Sequence, residues 1–233
     1  MSTEKIEKEL RYILSDSQYV LFKESVRKNY NFFKPGKSLL ETTIMFDNPN
    51  PILTFYCKEI DGRLRLRTSI PSEPDLLLDS TLDFTKSMLT WKQRIPQFAN
   101  SEIRKEREIE VHFESGESAN MLSILTDVLK CPRISSYERY RETLYTENIE
   151  IASDRFPYGH VVELELKSGK ESSLLEVADL LKLSDMPCSR LSCDDFYRLL
   201  CNKAGITSKA DILFSDKDMP KISDYVDEIC PYL

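Results

Sequence analysis

Five stretches of this chain carry charged residues at alternate positions, and the types of those residues point to chemistry. Glu7, Glu9 and Arg11 alternate with Leu10 and Tyr12. Arg63, Arg65 and Arg67 alternate with Leu64 and Leu66, and Arg104, Glu106, Glu108 and Glu110 form a third series. Arg139 and Arg141 make a fourth, and Glu163, Glu165 and Lys167 alternate with Val162, Leu164 and Leu166. Extended backbone repeats every two residues, so each series occupies one face of a strand, in most of them opposite a mainly apolar face. A single such strand is ordinarily the solvated side of an antiparallel sheet. Five are poorly explained that way, because acidic pairs and arginine pairs fall largely on different strands, and a row of guanidiniums repels itself unless an anion compensates it. Carboxylates two residues apart come close enough to share a hard divalent cation, and guanidinium presents paired donors matched to phosphate oxygens. Together the series describe a site for a metal ion and a polyphosphate.

Such side chains can cooperate only if their strands face one another. The 233 residues suit one large β-rich domain. We expect a single domain over 1–233, with its core at about 5–200 and a helical extension over 201–233. Strand patterns run over 6–14, 38–46, 52–59, 63–70, 87–93, 103–113, 137–145, 149–154 and 160–167, with Asp61-Gly62 and Ser168-Gly169 as turns. Ser15-Asp16-Ser17 offers a helix cap before Tyr19, Phe22, Val26 and Tyr30 at helical spacing. Further helical stripes cover 121–129, 173–183 and 193–203, and the pattern beyond Ala204 is ambiguous. Many antiparallel strands with a few helices make an α+β fold, and closure into a barrel is the natural way to hide the sheet edges.

The formal charge of −7 argues against a general nucleic-acid binder, so no DNA partner is expected. No leader pattern and no run of apolar residues long enough for a membrane helix occurs, so we expect a soluble, cytoplasmic protein without membrane partners. Cys57, Cys131, Cys188, Cys193, Cys201 and Cys230 contain no C-x-x-C pair and, with His112 and His160 alone beside them, form no zinc pattern. They read as reduced thiols. The two histidines read as hydrogen-bonded structural residues, and Asp216, Asp218, Asp224, Asp227 and Glu228 as a solvated surface.

The ordered set of blocks resembles the CYTH superfamily of triphosphate tunnel metalloenzymes over roughly 5–200. Glu7-Lys8-Glu9-Leu10-Arg11 looks like the family's Glu-x-Glu-x-Lys signature, and Met45-Phe46-Asp47 with Leu64-Arg65-Leu66-Arg67 resembles its next two blocks. Leu89-Thr90-Trp91-Lys92, Arg104-Lys105-Glu106-Arg107-Glu108, Arg139-Tyr140-Arg141, Ile151-Ala152-Ser153-Asp154 and 158–165 are similar to the blocks that follow. The resemblance implies an eight-stranded closed antiparallel tunnel flanked by helices, using Mg²⁺ or Mn²⁺. It implies Glu7, Glu9, Asp154, Glu163 and Glu165 as metal ligands, joined by Glu106 and Glu108 unless these organise the arginines. Arg11, Arg65, Arg67, Lys92, Arg104, Arg139 and Arg141 become the triphosphate contacts, and Glu7, Glu9, Arg11 and Glu165 the catalytic set. Two departures stand out. Arg11 replaces the family's lysine, and a guanidinium, always protonated, does not serve as a base; and Ser192-Cys193 stands where a Ser-Tyr is usual.

The expected activity is metal-dependent hydrolysis of a triphosphate, whether inorganic, thiamine-linked or nucleoside-linked. Two alternatives remain open: an adenylate cyclase forming cyclic AMP and pyrophosphate, and a non-catalytic module that binds a polyphosphate or nucleotide. The expected partner is a triphosphate-bearing small molecule; a monomer and a homodimer fit equally well.

Overall fold

The computed structural model describes residues 5–57, 59–72, 86–96, 102–186 and 188–229. Eight long strands carry the architecture: β1 (Lys5–Leu14), β2 (Lys34–Phe46), β3 (Gly62–Pro71), β4 (Lys86–Arg94), β5 (Arg104–Glu114), β6 (Arg133–Tyr145), β7 (Ile149–Phe156) and β8 (Gly159–Leu166). Their spatial order is β2-β3-β4-β5-β1-β8-β7-β6, antiparallel throughout, and β6 returns to β2 along a ladder from Lys34↔Tyr145 to Phe46↔Arg133. That last ladder closes the sheet into a barrel and removes its free edges. A short ninth strand, β9 (Asp211–Ile212), lies parallel to β6 beside Ser136 and Tyr137.

The alternating series explain why the barrel is built inside out relative to an ordinary hydrophobic core. On β1, Leu10, Tyr12 and Leu14 point outward into an apolar layer while Glu7, Glu9 and Arg11 point inward, and both sets are at most 8% exposed. The outward layer is covered by helices. Helix α1 (Asp16–Lys28) starts at a complete capping box between Ser15 and Gln18, the cap its sequence announces. It packs Phe22 and Val26 on Leu10, Leu14, Val162 and Leu164, together with Leu174 and Ala178 of α3 (Ser172–Leu180). Helix α4 (Cys193–Lys203) packs differently: it lays Phe196, Tyr197 and Leu200 on Tyr158 and on Ile13 and Val161, which lie on the inward faces of β1 and β8 beyond the charged residues, so it plugs that end of the barrel, where Ile222 of α5 (Ile222–Ile229) joins it. Helix α2 (Ser118–Ser123) runs on into a π-helical turn over Ile124–Val128 and seats Leu125 against Phe46 and Leu66.

Of residues 52–59, read as a strand from their apolar run, the described ones form turns and bends instead, and Lys58 lies outside the described residues. The reason is local: Asp47 accepts hydrogen bonds from the Thr54 hydroxyl and the Phe55 N–H, and Cys57 C=O accepts from Ile60 and Asp61, which turns the backbone instead of extending it. The expected helix over 121–129 is split as described, and the C-terminal extension holds β9 and α5 after α4, so it is only partly helical. Cys230 lies outside the described residues.

Candidate active site

Register turns the five charged series into two walls. Around the barrel, β3 and β6 flank β2, and on the opposite side β5 and β8 flank β1. The first group supplies Arg63, Arg65, Arg67, Arg139 and Arg141; the second supplies Glu7, Glu9, Glu106, Glu108, Glu163 and Glu165. Between the walls runs a cavity of about 650 Å³ lined by residues from all eight strands. At one end, where the charged series of β1 finishes at Arg11, the start of α4 contributes Ser192, Cys193 and Asp194 to the lining; at the other, Lys5, Lys37, His112, Tyr145 and Lys167 ring the mouth. The strap before α4 is bolted down by the backbone bond from Ser189 N–H to Arg11 C=O at 2.7 Å and by Arg11 Nη1 donating to Leu191 C=O at 2.8 Å.

The acidic wall is threaded with cations. Glu9 and Glu165 are direct cross-strand partners, as are Glu7 and Glu106, a like-charge juxtaposition that needs compensation. Arg104 supplies it by donating to Glu9 at 2.7 Å and Glu106 at 2.8 Å, and Arg11 by donating to Glu163 at 2.7 Å and Glu9 at 3.1 Å. Lys92 reaches across from β4 to pair with Glu7, and with Glu108 at 3.0 Å. Burial favours the protonated form of Glu106, yet Arg104 and Lys92 outweigh it and hold the carboxyl down at about 2. Glu163 is likewise held well below the usual carboxylate range, burial being overcome by Arg11 and Arg141. Glu7 goes the other way: burial raises it, and Lys92 does not fully reverse the effect of burial with Glu108 alongside.

The basic wall is under-compensated. Glu41 on β2 is its main counter-ion, accepting from Arg139 at 2.7 Å and lying 3.6 Å from Arg67; burial pushes its carboxyl up, and Arg67 with Arg139 drives it far below the normal range. Arg67 is pushed down by burial and by Arg139 and Arg65, despite Glu41. Arg63 Nε and Nη1 and Arg65 Nε are buried with no hydrogen-bond partner. The phenol of Tyr137 sits among these guanidiniums; Arg65, Arg67 and Arg139 lower its pKa against the opposing effect of burial. Buried donors without acceptors are costly, and a polyanion is what would satisfy them.

All the expected site residues except Asp154 line the cavity. Asp154 sits fully buried behind the wall, taking Arg139 at 2.9 Å and Arg141 at 2.6 and 2.7 Å, so its oxygens orient arginines. Glu41, Arg63, Tyr137 and Asp194 are among the lining residues outside the expected site set. Glu41 is a lone acid on a strand without charge alternation, and Arg63 was passed over beside Arg65 and Arg67. Tyr137 lies two residues before Arg139, where the period of two could have found it, and Asp194 reads simply as an acidic residue in a helix's first turn.

The acidic wall offers carboxylate oxygens alone, the donor type that Mg²⁺ and Mn²⁺ take. Glu165 Oε1 is a buried oxygen without a hydrogen bond, its contact with Lys5 being an ion pair at 3.3 Å. The chemistry of the wall therefore suits a hard divalent cation. In the arrangement seen, the described residues include no group of three His, Cys, Asp or Glu side chains poised to hold a metal, since guanidinium and ammonium groups stand between the carboxylates. Among the described residues no helix is long and apolar enough to cross a membrane.

No protein-family model matches the sequence. No curated protein matches it either. Solved structures do match in fold. A candidate adenylate cyclase from Vibrio parahaemolyticus superposes with TM-score 0.57 at 16% identity, covering 82% of this chain and 97% of that one. A candidate adenylyl cyclase from Hippeastrum, described as having a dominant triphosphatase activity, gives 0.54 at 15%, covering 89% and 99%. A chain of the Schizosaccharomyces pombe Mediator head module gives 0.56 at 11%, covering 79% and 98%. A closed eight-stranded antiparallel barrel and these structural neighbours identify the architecture: the chain shares the fold of these structures over about four fifths of its length or more.

Proposed function

We propose that the tunnel binds the phosphate chain of a triphosphate-bearing small molecule and, with Mg²⁺ or Mn²⁺, hydrolyses it. The observation that carries this reading is the pair of facing walls, with Arg63 and Arg65 lining the cavity and carrying buried N–H groups that no hydrogen bond satisfies, and carboxylates on its far side. Arg65, Arg67, Arg139 and Arg141 would grip non-bridging oxygens, and Arg11, Lys92 and Arg104 would be drawn partly from their glutamates toward the phosphates. Glu7, Glu9, Glu163 and Glu165, with Glu106 and Glu108 beside them, would hold the divalent cation, which when bound supplies neutralisation of phosphate charge. Catalysis in such a site is mostly positioning and electrostatic stabilisation, and the buried, hydrogen-bonded charges here are held rigidly enough to provide both. A neighbour with triphosphatase activity supports the class of reaction without naming a substrate.

The test is incubation of purified protein and Mg²⁺ or Mn²⁺ with tripolyphosphate, thiamine triphosphate and ATP, with products identified by mass. Orthophosphate is the expected product; cyclic AMP with pyrophosphate would replace hydrolysis by cyclisation. Glu7→Gln and Glu165→Gln should each abolish metal-dependent turnover while leaving circular dichroism unchanged, and full activity in either sinks the ligand assignment.

A binding-only module is the second reading, favoured by the guanidinium partners already seated on Glu9, Glu106 and Glu163. It predicts that tripolyphosphate binds and is recovered intact after long incubation with Mn²⁺.

A further inference from the structure

Hydrolysis needs a group that accepts the proton of the attacking water. Arg11 is unsuited twice over, as a guanidinium and because Glu163 and Glu9 outweigh burial and raise its pKa further. The carboxylates of the acidic wall are committed to cations. At the end of the tunnel, however, two adjacent acids of α4 are treated differently. Asp195 accepts from Arg94 at 3.0 Å, from Arg198 at 2.5 Å and from the Ser192 hydroxyl at 2.6 Å, so it serves the helix start. Asp194 lines the cavity, and no hydrogen bond or ion pair ties its side chain to another described residue. Facing the same space, Arg63 is 8% exposed, its Nε and Nη1 have no hydrogen-bond partner, and the nearest carboxylate to Nη1 is Glu106 at 3.9 Å.

We infer that Asp194 is the proton acceptor for water at the closed end of the tunnel, with Arg63 and Arg65 holding the terminal phosphoryl group in front of it. This rests on the hydrolytic reading above. In the step, the water oxygen forms a bond to the terminal phosphorus and the bridging P–O bond breaks. Its electron pair leaves with the diphosphate fragment, and the water proton passes to the Asp194 carboxylate and then to solvent. Burial raises the Asp194 pKa, with Arg63 pulling against it, which makes the carboxylate a stronger base than a solvated aspartate. The groups facing it are Arg63 and Arg65 of β3, Tyr56 of the β2–β3 connection, Tyr158 of the β7–β8 turn, and Cys193, Asp195 and Arg198 of α4.

The experiment is Asp194→Asn, read as kcat, tripolyphosphate affinity by calorimetry, and the pH profile. Loss of a general base lowers kcat by about a hundredfold or more. Affinity should stay equal or become tighter, because a negative group facing the anion has been removed, and the acid limb of the kcat profile should disappear. Tight binding also shows that the variant is folded. A kcat within about threefold of wild type, or a loss of affinity as large as the loss of turnover, overturns the assignment. Phosphate release by the wild-type protein tests hydrolysis itself. A wild type that releases none takes the assignment down with that reading, whereas an active wild type beside an equally active D194N removes the assignment alone.

Discussion

Arg65 shows how much one tunnel side chain is asked to do. It is 14% exposed at the side chain, its nearest carboxylate is Glu108 at 3.5 Å, and its Nε has no partner. Hydrogen bonds to charged groups contribute about 1.5–3 kcal/mol each, so Arg65→Gln should weaken tripolyphosphate binding roughly ten- to hundredfold by calorimetry. Its effect on folding should be smaller than that of Arg104→Gln, which strips Glu9 and Glu106 of their cation. The paired acids also set a pH dependence. Glu41, Glu106 and Glu163 have folded pKa values below the unfolded value of about 4.3. Their stabilisation is therefore complete above that pH and is lost as pH falls through the folded values, about 2 for Glu106. Denaturant midpoints measured from neutral to acid pH should drop steeply below the unfolded pKa, and Glu106→Gln should flatten part of that drop.

Among the elements, α5 depends on one glycine. Gly159 opens β8 with φ +150°, and a Cβ there would stand 2.5 Å from Ile222 Cδ1 and 2.9 Å from Cγ1. Ile222 is the first residue of α5, and its N–H donates to Tyr158 C=O at 2.9 Å. Gly159→Ala should cost about 1–3 kcal/mol through backbone strain and contact, and hydrogen exchange should report α5 loosening before the barrel. Helix α4 is held by its cap: Ser192 Oγ accepts from Asp195 N–H at 3.1 Å, and Ser192→Ala should cost about 1 kcal/mol in urea unfolding. Of the helix caps, the one at Ser15 was legible in sequence, because there a side chain satisfies its own neighbourhood. The apolar run after Asn50 does not extend as a strand because Asp47, several residues upstream, captures the Phe55 N–H and the Thr54 hydroxyl.

For the whole molecule, the decisive fact is that β1 is the strand placed between β5 and β8. Glu9 meets Arg104 on one side and Glu165 on the other, so the first described strand closes the acidic wall against segments far along the chain. Deleting residues 5–14 exposes two long edges and leaves Glu163 and Arg104 without Arg11 and Glu9. The expected outcome is loss of the monodisperse folded species by gel filtration and circular dichroism. If the tunnel binds polyanions, tripolyphosphate at a hundred times its Kd should stabilise the fold by about 2.7 kcal/mol in thermal unfolding. The gain should shrink as salt screens the mouth lysines Lys5, Lys37 and Lys167.

The sequence by itself determined which side chains share a face. Alternation is a covalent consequence of extended backbone, so the ionic face of β1, β3, β5, β6 and β8, and the apolar face opposite it on β1, β3 and β8, could be read without coordinates. Strand order and register belong to the tertiary structure, because pairings such as Arg11↔Glu163 and Glu41↔Arg139 join segments distant in the chain that local periodicity does not relate. Only there did the acids and arginines separate into facing walls, Asp154 withdraw behind Arg139 and Arg141, and Arg11 and Arg104 enter the carboxylate wall. Asp194 reached the tunnel for the same reason, since the packing of α4 on Tyr158 and Val161 brings its first turn to the end of the barrel.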